Sequence, residues 1–305
     1  MSALGRLAGA AALSAVGGLA WAVTETRLFT VRNHVVPVLA PGSRPLRVLH
    51  VSDLHLTPSQ RLKQEWVRRL ADLEPDLVVS TGDNLAHQRA VSYVELALGE
   101  LLTVPGVFVL GSNDYYGPQP KNPARYLLPS SRRSTTSDEP QTLPTDELVD
   151  VLGSGGWLDL TNARGSLDVA GQRLTFVGVD DPHLERDRVP TPGGEHGDLH
   201  VGVSHAPYTR VLDQMADDGC GLILAGHTHG GQLRVPGYGA LVTNCDLDRE
   251  RASGLHGWPG PRPDAPGGHG SAWLNVSAGM GTSPYTPVRF ACRPEVSLLQ
   301  LVARE

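Results

Sequence analysis

From Leu46 onward the chain alternates short apolar runs with stretches of helical spacing. Leu46–Leu56, LRVLHVSDLHL, reads as a buried strand ending in polar residues. Arg61–Leu73 then sets Leu62, Trp66, Val67 and Leu70 on one side of a helix. DLVVSTGDN is a second strand, Val91–Leu102 a second helix, and GVFVLGSND a third strand with the same polar ending. This order predicts βαβ units around a partly parallel sheet. After Pro118–Pro144, a stretch rich in Pro, Ser and Thr, LTNARGSLDVAGQRLTFVGVDDP alternates like a hairpin. HVGVSHAP and GLILAGHTHGG are two further strands with His-bearing ends. Arg249–Gly270 is a Gly/Pro-rich excursion, and AWLNVSAGM and EVSLLQLVA are closing strands. Val31–Leu39 reads as a strand-like linker.

The first residues follow another pattern. Leu7–Val23 carries no charge and follows Arg6, and Ala20-Trp21-Ala22 has the small-x-small form of a cleavage site. As a helix this run measures about 25 Å at about 1.5 Å per residue, slightly short of a bilayer core. Residues 1–30 are therefore expected to be a membrane anchor or export signal, making the membrane a partner. The protein would be membrane-associated or exported to the cell envelope. The plainer alternative is a helix lying on the domain.

Composition narrows the class. The 305 residues hold 26 Lys plus Arg against 32 Asp plus Glu, a net charge of −6. A general nucleic-acid binder rests on a basic surface, so no nucleic-acid partner is expected. Cys220, Cys245 and Cys292 are scattered and form no CxxC pair, which argues for buried thiols over a disulfide framework.

The chemistry lies at the strand ends, which deliver Asp53 and His55, Asp83, Asn113, His205, and His227 with His229. In open α/β sheets, ligand sites gather beyond the carboxyl ends of strands. Positions two apart on an extended strand share a face, so Asp53 and His55 act together if the backbone stays extended there. The mixed carboxylate and imidazole set suits Mn²⁺, Fe or Zn²⁺, and seven ligands suit two divalent ions better than one. Asp83, central in the series, is the bridging candidate. Gly82 and Gly226 fit places where backbone passes close to metal or phosphate.

SDLHL, TGDN, SHAP and GHTHGGQLRVP resemble the calcineurin-like metallophosphoesterase family. GHTHGGQ with the tail VSAGMGTSPYTPVRFACRPEVSLLQL is similar to its bacterial YkuE-like branch. The resemblance implies a four-layer αββα sandwich of two mixed sheets, an α/β fold occupying residues 46–305 with loop insertions at 117–145 and 247–270. It implies a dinuclear centre in which Asp53, His55 and His229 hold one ion, Asp83 bridges, and Asn113, His205 and His227 hold the other. A metal-bound hydroxide would attack phosphorus, with the histidines as ligands.

One motif departs from the family. Where Gly-Asn-His-Asp/Glu is usual, this chain has Gly111-Ser112-Asn113-Asp114, which lacks the histidine that acts as acid or phosphate contact. Asn113 could reach the metal through a shifted turn, or Ser112 Oγ could fill the position. Asp114, His183 and Tyr115 are the candidate stand-ins for the acid, the alternative for each being an ordinary surface or turn residue. Ser112, Tyr115 and Tyr116 are expected to contact substrate; Arg125, Arg132 and Arg133 are either charges of a solvated loop or further anion contacts. General acid catalysis supplies about 10²–10⁴-fold and matters most for poor leaving groups. The expected substrate is accordingly a phosphodiester or pyrophosphate, including a lipid-linked or envelope one. The alternatives are a cyclic-nucleotide phosphodiesterase and a catalytically degenerate phosphate-binding protein.

Overall fold

The computed structural model describes residues 3–120, 141–193 and 196–304. Two six-stranded mixed sheets face each other. The first runs β1 (Thr30–Leu39), β14 (Glu295–Ala303), β2 (Leu46–Val51), β3 (Leu77–Ser80), β4 (Gly106–Phe108) and β5 (Leu158–Asp159). The second runs β12 (Gly254–Trp258), β13 (Ala272–Val276), β9 (Leu222–Ala225), β8 (Leu199–Ser204), β7 (Gln172–Gly178) and β6 (Arg164–Val169).

Alternation along the strands explains the layering. On β2, Leu46 and Val48 enter the core between the sheets, while Leu49 and Val51 face the opposite way. The outer face of the first sheet is covered by α2 (Arg61–Arg68), α3 (Val91–Leu98) and α5 (Thr145–Ser154), through Val67, Val94 and Leu148. The outer face of the second is covered by α6 (Thr209–Asp217), through Val211, Leu212 and Met215. Strands buried on both faces read as continuous apolar runs, as the sequence pattern indicated. The α/β fold is the αββα sandwich that the family resemblance implied.

Two segments do more than expected. Val31–Leu39 is no linker, since β1 pairs in parallel with β14 along its length and buries Val36 and Leu39. The excursion around 247–270 contributes β12, an edge strand antiparallel to β13. Of the 117–145 insertion, residues 121–140 lie outside the described residues, and with them Arg125, Arg132 and Arg133.

The expected membrane anchor is corrected. Residues Ala3–Glu25 form the 23-residue helix α1, but among the described residues no helix is long and apolar enough to cross a membrane. At about 1.5 Å per residue α1 would reach about 35 Å, so apolarity is what it lacks: Ala, Gly and Ser each carry little apolar surface. The membrane as a partner, and the membrane or envelope localisation drawn from an anchor, fall with it. The C-terminal end of α1 docks on the domain instead. Glu25 accepts the N–H groups of Ala291 and Cys292, at 3.0 and 2.7 Å, and Ala22 O accepts that of Arg289 at 2.9 Å.

Candidate active site

The parallel strands β2, β3, β4, β8 and β9 end at one edge of the sandwich, and the loops leaving them converge. β2 stops at Val51, before the first ligand candidates. Asp53 (φ 51°) and His55 (φ 42°) are left-handed, as are Asp83 (φ 56°), His227 (φ 67°) and His229 (φ 48°). The backbone is therefore not extended through Asp53–His55, and it is a coiled loop that brings their side chains together. Five non-glycine residues in this sparse region mark a site where strain is held by surrounding structure. Glycines make the packing possible. A Cβ on Gly111 would collide with the Asp83 carboxylate, and one on Gly226 with the Ser52 side chain.

Asp53, His55 and His229 form one cluster of potential ligand atoms, and Asp53, Asp83 and His205 form another. Asp83 Oδ2 lies 3.5 Å from both His55 Nε2 and His205 Nε2, the place of a bridging group. His55 Nε2 faces His229 Nε2 at 3.3 Å, and His205 Nε2 faces His227 Nδ1 at 3.2 Å. Opposed imidazole nitrogens need a cation or proton between them. Asp53 Oδ2 is held by Ser52 Oγ and the His227 N–H, whereas its buried Oδ1 has no hydrogen-bond partner and lies 3.6 Å from His229 Nε2.

Outer contacts select the ring nitrogens. His205 Nδ1–H donates to Thr81 O at 2.7 Å and His229 Nδ1–H to Gly281 O at 3.1 Å, so each turns Nε2 to the cluster. His227 Nε2 lies 3.3 Å from Asn244 O, which leaves Nδ1. Such contacts fix tautomer and ring orientation in metal sites. Burial, and then Arg289, pull His229 down to about 3; burial holds His55 and His227 well below the usual range, so these three rings are neutral. His205 is the exception. Burial pulls it down, but Asp83, Asp181 and Asp53 together raise it to about 9. The carboxylates thus call for positive charge at the centre of the cluster. The orphaned Asp53 Oδ1, the facing imidazole nitrogens and the mixed donor set fit a pair of divalent ions. When bound, two such ions lower the pKa of a water and neutralise phosphoryl oxygens during in-line attack.

The 111–116 turn is used differently along its length. The Asn113 N–H donates to Asp83 Oδ1 at 2.7 Å and its amide Nδ2–H to Oδ2 at 2.8 Å. Asn113 therefore holds the central carboxylate. Asp114 is fully buried and accepts the N–H groups of Asp83, Asn84, Leu85 and Gly111, tying the loops after β3 and β4 together. Burial, and then Asp83, raise its carboxyl to about 7.

A cavity of about 410 Å³ opens on the cluster. Its lining includes the polar His55, Asp83, Ser112, Asn113, His227 and His229 and the apolar Leu233, Leu241, Val288 and Tyr285. Tyr115 and Tyr116 are not in this lining. The Tyr115 hydroxyl donates to Asp180 at 2.9 Å, and Arg186 donates to the Tyr116 hydroxyl at 2.9 Å while stacking over the Tyr115 ring. Of the three stand-ins for the acid, only His183 lines the cavity, its ring 4.6 Å from that of His227 and its Nδ1 3.1 Å from the Tyr208 hydroxyl.

Two contributors escaped the sequence reading. Arg289 is fully buried, and its Nη2 donates to Ala278 O, Gly279 O and Gly281 O at 2.7, 3.0 and 2.7 Å. It braces the loop whose Gly281 O also receives His229 Nδ1. An isolated arginine carries no sequence signal for that role. Asp181 stands just beyond β7, and the strand-end logic applied to the other ligands would have found it.

Comparison with known proteins agrees with the site. The chain is 26% identical to the uncharacterized protein YpbG of Bacillus subtilis, over 90% of this chain and 88% of that protein. It is 23% identical to the phosphodiesterase YaeI of Escherichia coli, covering 91% and 90%. To the UDP-2,3-diacylglucosamine pyrophosphatase LpxG of Chlamydia trachomatis it is 26% identical, covering 84% and 83%. Residues 46–231 match the calcineurin-like phosphoesterase family, which holds every clustered ligand candidate. The chain belongs to that family, and its carboxylate and imidazole centre is that of a metal-dependent phosphoesterase.

Proposed function

We propose that the enzyme hydrolyses a phosphodiester or pyrophosphate whose substituent is large and partly apolar. The observation that carries this reading is the mixed lining of the cavity, which includes both the ligand cluster and the apolar Leu233, Leu241, Val288 and Tyr285. A simple phosphate monoester would leave the apolar lining in water, whereas a substituent lying on it gains about 25 cal/mol per Å² of apolar surface covered. The similarity to LpxG, named for a diacylated sugar pyrophosphate, is in keeping with such a substrate. So is the GHTHGGQ stretch, on which we place the chain with the YkuE-like branch.

Asp53, His55 and His229 would hold one ion, His205 and His227 the other, with Asp83 between them. Asn113 orients Asp83 through two donated hydrogen bonds, and Asp114 fixes the loop that carries it. Ser112 Oγ and the rim of the cavity bind substrate. His183, with Nδ1 turned to Tyr208, presents Nε2 as the group that moves a proton to the leaving oxygen.

The test is hydrolysis of bis-p-nitrophenyl phosphate by the Mn²⁺-loaded full chain beside Asp83→Asn. It is followed by kcat/KM on an alkyl monoester, a cyclic nucleotide and a pyrophosphate diester bearing an acyl group. Turnover lost in the variant, and highest kcat/KM on the acylated pyrophosphate, is expected. Preference for the monoester or the cyclic nucleotide refutes the substrate assignment. Bound metal without turnover of any of them would make the chain a phosphate-binding protein.

A further inference from the structure

The second half of the centre is short of a ligand. Asp53, His55 and His229 gather on one side; on the other, His205 groups with Asp83 and with Asp53, which the first side also uses, and His227 faces His205. The amide nitrogen of Asn113 is committed to Asp83 Oδ2 at 2.8 Å. The adjacent strand end offers a carboxylate. β7 pairs in parallel with β8, with Gly178 opposite Val203, and the Val179 N–H donates to Val203 O. Val179-Asp180-Asp181 therefore leave the sheet beside Ser204-His205. Asp181 is fully buried; burial raises its carboxyl to about 7, while His205 pulls it down and Asp83 pushes it up.

Local structure does not account for a carboxylate there. Asp181 caps the short turn Pro182–Leu184, its Oδ1 accepting the His183 N–H at 2.9 Å. Asn or Ser would serve that purpose equally. Oδ2 is buried and has no hydrogen-bond partner. An ionised oxygen in that condition is costly unless a cation meets it.

Building on the dinuclear reading of the site, we propose that Asp181 supplies the carboxylate of the second half-site, its unpartnered Oδ2 meeting the ion held by His205, His227 and Asp83. The GVDDPH segment then compensates for the altered 112–113 turn. Asp181 brings charge where the Asn113 amide nitrogen is committed to Asp83, and His183 brings an imidazole to the cavity lining.

The test compares the full chain with Asp181→Asn, which keeps the cap and removes the charge. Mn²⁺ content is measured by elemental analysis over a series of buffered free Mn²⁺ concentrations, and melting with and without Mn²⁺. The wild type is expected to hold two equivalents. Asp181→Asn is expected to keep one at wild-type affinity and take the second only at about 10–100-fold higher free Mn²⁺. Without metal the variant should melt at or above the wild type, and Mn²⁺ should raise its melting temperature less. Two equivalents at wild-type affinity in the variant overturn the inference and leave the proposed function standing. A wild type that binds no Mn²⁺ overturns both. Asp181→Ser, which also caps, is the second variant. If neither variant folds without metal, the role of Asp181 is structural and the inference fails.

Discussion

Replacing Arg289 by Lys keeps the charge and removes the fork. In the native fold Nη2 alone donates to the carbonyls of Ala278, Gly279 and Gly281, and Nη1 reaches the carbonyl of Cys292 at 3.4 Å. A lysine ammonium at the end of a shorter, differently aimed stem satisfies one or two of these. Hydrogen bonds to charged groups are worth about 1.5–3 kcal/mol each, so losing two costs about 3–6 kcal/mol. For a domain of this size that corresponds to a fall in melting temperature on the order of 10 °C. Because Gly281 O also receives His229 Nδ1, Arg289→Lys should free that ring and weaken the ion it holds by about 10–100-fold. Metal-free thermal unfolding, paired with Mn²⁺ titration, reads both effects. A variant that melts within 2–3 °C (roughly 1 kcal/mol) of the wild type would refute the bracing role. Lowered stability with unchanged metal affinity would refute the coupling to His229.

Asp114→Asn should lower stability by about 2–6 kcal/mol, since the new amide NH₂ would face two backbone N–H groups, each costing about 1–3 kcal/mol unsatisfied; equal urea midpoints for the two proteins would contradict this. Lys63, buried on α2 and donating to Leu54 O at 2.8 Å, is brought down to about 7 by burial and then by Arg289. Unfolded, it titrates near about 10.4. Between these values the unfolded chain holds the proton and the native one does not, so Lys63 makes native stability rise with pH across this window and fall as pH drops to 7. In metal-free urea unfolding, the stability of the wild type minus that of Lys63→Met should therefore grow from pH 7 to pH 10, and a constant difference would show that Lys63 is charged in the native state.

Much of this centre was legible before any coordinates. The blocks SDLHL, TGDN, SHAP and GHTH each follow an apolar run, and strand ends in a parallel sheet necessarily point to one edge. Composition and order therefore placed Asp53, His55, Asp83, His205, His227 and His229 together. What could not be read was how the chain turns after each strand. Asp53 and His55 meet because both adopt left-handed backbone, not because an extended strand sets them on one face. The N-terminal run looked like a span by its absence of charge; its Ala and Gly content weakens that reading, and Glu25, accepting from Ala291 and Cys292, docks the C-terminal end of the helix on the domain.

Sequence by itself determined the fold class and the donor set, because periodicity and residue type are local properties carried by every segment. Only the tertiary structure decided the roles within the site. Asn113 turns its amide to Asp83, Asp114 spends its oxygens on four backbone N–H groups, and Arg289 reaches from the far C-terminal segment to the loop beside His229. Each of these is settled by which unpaired donor or acceptor lies within about 3 Å, and that depends on loops brought together from distant parts of the chain.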